Sequence, residues 1–95
     1  MTVHHQTHVH ARPGRSAQLG AYLRDLQEPV ARLPGCLAFS VDQMPDGAWR
    51  LQGSWVSPLA RQAFFAAPLL QEVFSGLLRE GLLAGLDCQV LVEGG

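Results

Sequence analysis

Four of the first ten residues are histidines, and residues 3–14 read VHHQTHVHARPG. Neutral imidazoles bind zinc or copper, and an imidazole with an ordinary pKa near 6.5 is the usual side chain for moving a proton at neutral pH. Spacing separates the two chemistries. If residues 3–11 form a strand, Val3, His5, Thr7, Val9 and Ala11 share one face, while His4, Gln6, His8 and His10 share the other. Metal ligands strung along one strand diverge, and residues 3–11 contain no Asp, Glu or Cys to complete a set. No metal centre is therefore expected from His4, His8 and His10. His5 shares its face with Val3 and Val9, and is the candidate for acid–base work beside an apolar core.

Other chemistries lack a recognisable pattern. Cys36 and Cys88 have no C-x-x-C spacing, and both are expected to be small core hydrophobes. No Ser, Cys or paired-carboxylate constellation suggests nucleophilic or glycosidic chemistry. Seven Lys/Arg against eight Asp/Glu give a net charge of −1, so no electrostatic footprint for nucleic acid or an anionic membrane is present. The start MTVHHQ lacks a signal-peptide core, and no run approaches the roughly 18 apolar residues of a membrane span. A cytoplasmic location is expected.

The elements that must hold His5 follow from periodicity. Arg12-Pro13-Gly14 ends the first strand, and Ser16 is the expected N-cap of a helix with Leu19, Tyr22, Leu23 and Leu26 on its apolar face. Pro29 should end or kink that helix, with a last turn through Val30 and Leu33. After Pro34-Gly35, Leu37, Phe39 and Val41 alternate with Ala38, Ser40 and Asp42, which predicts a strand. Pro45-Asp46-Gly47 is a turn signal, and Trp49, Leu51 and Trp55 then alternate on one face, so residues 36–55 read as a hairpin.

Ser57-Pro58 marks a helix start with apolar Leu59, Ala60, Ala63 and Phe64 inside it, and Pro68 opens a longer amphipathic helix whose Leu69, Leu70, Val73, Phe74, Leu77 and Leu78 are expected to form one core-facing stripe. Gly81 and Gly85 are expected to punctuate its end, before a final strand over residues 86–93. The order βαββαβ predicts an α+β, ferredoxin-like domain over residues 1–95, with a four-stranded antiparallel sheet in order 4-1-3-2. Cys36 and Cys88 would then lie on opposite edge strands, three spacings of about 4.8 Å apart, beyond the roughly 7 Å reach of a disulfide. Two helices cover one side of such a sheet. With 47% hydrophobic and 16% charged residues, a homodimer is the expected way to cover the rest.

Pro13-Gly14, Pro34-Gly35-Cys36, Trp55 at the end of the third strand and the F-x-x-x-P-L-L-Q-E pattern from Phe64 resemble, over nearly the whole chain, the antibiotic biosynthesis monooxygenase family. The resemblance implies a dimeric α+β barrel with a small-ligand cleft between sheet and helices in each subunit. It also implies oxygenation of phenols by O₂ without a metal or flavin cofactor, although many members have no known reaction. In the haem-degrading branch an Asn, a Trp and a His stand where this chain has Thr7, Phe64 and Phe74, so the resemblance does not extend to that chemistry. Phenol-oxidising members pair the strand-end Trp with an Asn four residues earlier, which here is Leu51.

On this resemblance, His5 is the candidate catalytic residue, as base or orienter for a phenolic hydroxyl. Thr7, Trp49, Trp55, Phe64 and Phe74 are the candidate substrate-binding residues. His4, Gln6, His8 and His10 would face a polar, hydrated dimer interior. Three functions stay open: a cofactor-independent monooxygenase acting on a small aromatic or phenolic substrate, a non-catalytic small-ligand-binding or dimeric interaction module of the same fold, and, more distantly, a metal-binding protein.

Overall fold

The computed structural model describes residues 2–93; Met1, Gly94 and Gly95, the ends of the expected 1–95 unit, lie outside the described residues. In chain order the elements are β1 (Thr2–Ala11), α1 (Ser16–Arg24), α2 (Gln27–Ala31), β2 (Cys36–Gln43), β3 (Trp49–Trp55), α3 (Pro58–Phe65), α4 (Pro68–Arg79) and β4 (Leu83–Glu93). The strands form one antiparallel sheet in the order β2-β3-β1-β4, which is the expected ferredoxin-like topology with each helical crossover divided in two.

The two faces of β1 differ as its alternation requires. Val3, His5, Thr7 and Val9 are buried, while His4, Gln6, His8 and His10 are half-buried on the side that carries no helix. On the buried side Trp49, Leu51 and Trp55 of β3 meet Leu19, Leu23 and Leu26 of the first crossover and Phe64, Val73 and Leu77 of the second. Two devices set the helices against the sheet. The Ser57 hydroxyl accepts from the Ala60 amide at 3.2 Å, which satisfies one of the orphan donors at the start of α3. In the β2–β3 turn, Gly47 takes φ +88° and the Asp46 carboxylate accepts from the Ala48 amide.

Several local expectations need correction. Ser16 does not cap α1: Arg15 occupies the N-cap position, and Ser16 is the first helical residue, its hydroxyl donating to the Gly47 carbonyl at 2.6 Å. The side chain is used to tie the helix to the β2–β3 turn. The first helix ends at Arg24, well before Pro29, which sits in the first turn of α2, where its missing N–H costs nothing. Leu37 is not a core residue. Cys36 pairs with Trp55 and Ala38 with Ser54, so a bulge at Leu37 turns that side chain outward, 57% exposed. Gly85 lies inside β4, opposite His10 and next to a register shift. Cys88 is exposed on β4, because α3 and α4 leave this edge strand largely uncovered, whereas Cys36 is half-buried; both thiols are free. Among the described residues no helix is long and apolar enough to cross a membrane.

Candidate functional site

The β1–β3 pairing sets His5 opposite Gly53, with Val3 opposite Trp55. A Cβ on Gly53 would lie 2.6 Å from His5 Cε1 and 2.9 Å from Trp55 Nε1, so the missing side chain is what lets the imidazole and the indole meet over the strand. There the Trp55 Nε1–H donates to His5 Nδ1 at 3.1 Å. The imidazole stacks on Phe64, with interplanar angle 7° and centroids 5.4 Å apart, and lies 18° from the plane of Trp55. Phe65 tilts against it from the same helix.

His5 is 3% exposed, and its Nε2 is buried without a hydrogen-bond partner among the described residues. Burial pushes its pKa down to about 4, and the Arg61 guanidinium pushes in the same direction. Arg61 lies over the Phe65 ring, 4.6 Å from its centroid. The ordinary pKa near 6.5 expected of His5 therefore does not hold in the fold. His5 is neutral at pH 7 and a weak base.

Beside this cluster lies a cleft of about 400 Å³ between β1, β3, β4 and the helices α3 and α4. His5, Thr7, Gln71 and Cys88 join Leu51, Phe64, Phe65, Leu70, Phe74, Leu78, Leu83 and Leu86 around it, and the surface they present to it is almost wholly apolar. The Thr7 hydroxyl points at the Cys88 sulfur, 3.5 Å away, as their pairing across β1 and β4 requires. A largely apolar concavity of this size is a usual form of a small-molecule site. A larger concavity of about 830 Å³ lies on the opposite sheet face against His4, Gln6, Gln52, Gln89 and Leu91. It is open and mixed in character, the surface of an uncovered sheet face.

The fold brings together His5, Thr7, Phe64 and Phe74 of the expected set, and adds Leu51. Trp55 is fully buried behind His5 and does not line the cleft. Trp49 is elsewhere: its Nε1–H donates to the Ser16 carbonyl at 2.9 Å, its ring lies against Gly20, and Arg24 covers it at 4.9 Å. It joins α1 to the sheet. Sequence reasoning missed Phe65, Gln71 and Cys88; the alternation of β4 placed Cys88 on the face of Thr7 once the strand order was known. On the other face His4 contacts the Ser54 hydroxyl at 2.7 Å, His8 the Gln6 amide at 3.4 Å, and His10 Asp87 at 3.3 Å. Among the described residues no three His, Cys, Asp or Glu side chains converge as a metal site.

No family model and no curated protein matches this chain. Solved structures do, over its whole length. A Pseudomonas aeruginosa protein superposes with TM-score 0.88 at 20% identity, over 99% of this chain and 95% of its own. A "putative antibiotic biosynthesis monooxygenase" from Deinococcus radiodurans does so with TM-score 0.84 at 20% identity, over 100% and 94%. A Chloroflexus aurantiacus protein of the same description gives TM-score 0.70 at 26% identity, over 100% and 97%. The class is thus an α+β ferredoxin-like protein with a cleft between sheet and helices. Within that class, the chain has the fold of the antibiotic biosynthesis monooxygenases.

Proposed function

We propose that the chain is a cofactor-independent monooxygenase that binds a small aromatic or phenolic substrate in the helix-side cleft and uses O₂ as co-substrate. The observation that carries this reading is the cleft itself: about 400 Å³ of largely apolar space beside a buried histidine whose Nε2 has no hydrogen-bond partner among the described residues. Phe64, Phe74 and Leu51 hold the ring, and His5, backed by Trp55, orients its oxygen. For an anthrone, both hydrogens of the methylene leave carbon, one oxygen atom of O₂ enters as the new carbonyl, and the other departs with those hydrogens as water. Protein groups that stabilise the substrate oxyanion favour its ionised, electron-rich form, which is the form that gives an electron to O₂. A homodimer covering the outer sheet face is part of this reading.

One observation favours the second reading, a non-catalytic binding module of the same fold. His5 is held neutral and hydrogen-bonded at Nδ1, and neither Thr7 nor Gln71 is a base at neutral pH, so proton removal from the substrate would rest on solvent. Oxygen uptake with a panel of hydroquinones and anthrones separates the two. The monooxygenase reading expects enzyme-dependent consumption with one O₂ per anthrone oxidised to the quinone. Tight binding of the same compounds without oxygen uptake beyond their autoxidation establishes the binding module.

A further inference from the structure

We infer that His5 serves the cleft as a fixed hydrogen-bond donor through Nε2–H, with Trp55 as the positioning residue that sets its tautomer, so that the cleft selects aromatic ligands presenting an acceptor oxygen: a quinone or aryl ketone carbonyl, or a phenolate. This rests on the reading of the helix-side cleft as the ligand site, and it replaces proton abstraction by His5 with donation from it.

Trp55 sets the tautomer. An indole N–H only donates, and it lies 3.1 Å from His5 Nδ1, so Nδ1 must accept. A neutral imidazole has one N–H, and with Nδ1 accepting, that proton is on Nε2. Turning the ring over would set a C–H against the indole N–H and lose the bond, so the orientation follows from the hydrogen bond. The ring is also held, against the near-parallel ring of Phe64, beside Trp55 and over Gly53, where even a methyl group would collide with it.

What is left is an N–H that is buried just behind the wall of an apolar cleft and has no partner among the described residues, on a side chain that is 97% buried, since His5 is 3% exposed. Buried donors are nearly always satisfied, and an orphan at a cavity marks the place where a ligand atom completes the set. Charge cannot rescue a base at this position. Burial and, after it, the charge of Arg61 from α3 disfavour a second proton on His5, and Thr7 of β1 and Gln71 of α4 carry no charge to offset them. A ligand carbonyl or phenolate oxygen accepts from Nε2–H. A hydrocarbon ring of the same shape would fill the cleft and leave the donor unsatisfied.

The test combines ring-nitrogen NMR of ¹⁵N-histidine-labelled full chain at pH 7 with binding of 2,3-dimethyl-1,4-naphthoquinone and of 2,3-dimethylnaphthalene. The methyl groups block addition of the Cys88 thiol to the quinone. In the free protein His5 should show a protonated Nε2 and an unprotonated, hydrogen-bonded Nδ1. The quinone should bind at least tenfold more tightly than the hydrocarbon and shift the Nε2–H signal. Trp55→Phe should mix the tautomers, a change that a merely structural indole would not produce, and His5→Phe should abolish the preference for the quinone. A free-protein spectrum with the proton on Nδ1 or on both nitrogens overturns the inference and needs no variant to fold. Absence of quinone binding, or equal binding of the two ligands, overturns it as well. If the quinone binds through His5 while no phenol is oxygenated, the monooxygenase reading falls and the fixed donor stands.

Discussion

At the residue scale the central feature is one imidazole whose properties come from its neighbours. A free histidine titrates near 6.5, whereas His5 is shifted to about 4 by burial and by Arg61. The unfolded chain therefore binds a proton at His5 between these values and the folded chain does not. The sign follows: stability is unaffected by this group above pH 6.5 and falls as pH drops toward 4, by up to about 1.4 kcal/mol per pH unit. Urea unfolding of the wild type and of His5→Gln from pH 7.5 to pH 4 checks this. The difference between the two curves should be flat above pH 6.5 and should move against the wild type below it. Parallel curves would mean that His5 is protonated in the fold. The sequence placed His5 on the buried face, because alternation alone separates it from His4 and His8. It did not disclose the pKa, which depends on Trp55, Phe64 and Arg61, residues about 50 to 60 positions away whose contact with His5 exists only after folding.

At the scale of elements, what the chain order could tell was the face of a side chain, and what it could not tell was its place along that face. Trp49, Leu51 and Trp55 share the buried side of β3, as their alternation requires, yet Leu51 lines the cleft, Trp55 is behind His5 and Trp49 is beneath α1. The bulge at Leu37 was equally invisible, since a bulge is defined by the register of the partner strand. The strand order was legible because right-handed crossovers leave few alternatives for βαββαβ. The α1–β3 contact offers a test of packing independent of the cleft. A Cβ on Gly20 would fall 2.0 Å from Trp49 Cζ2, so Gly20→Ala must displace the indole and with it the bond to Ser16. Overpacking of this kind typically costs about 1–3 kcal/mol, outweighing the gain of up to about 1 kcal/mol from replacing a helical glycine. The urea midpoint should fall; a rise would show that α1 can lift away from the sheet.

For the whole molecule the uncovered surfaces matter most. The helices protect one face of the sheet, and the other exposes His4, Gln6, His8 and His10 of β1 beside Leu91, which is 61% exposed. Val90 and Val92 of the edge strand β4 are also about half exposed. An apolar edge strand of this length is a surface that a second copy of the chain would cover. Sedimentation at micromolar concentration should give about twice the chain mass of 10.3 kDa, and a clean monomer would leave the outer face without a role. The function itself turns on which side of the sheet acts, and oxygen uptake with an anthrone by three proteins reads this most directly. The wild type should consume O₂; His5→Ala should lose about 10²–10³ in rate, the usual cost of removing an oxyanion donor; His8→Ala, on the opposite face, should stay close to the wild type. Turnover that survives His5→Ala and collapses in His8→Ala would contradict the helix-side cleft as the site of reaction.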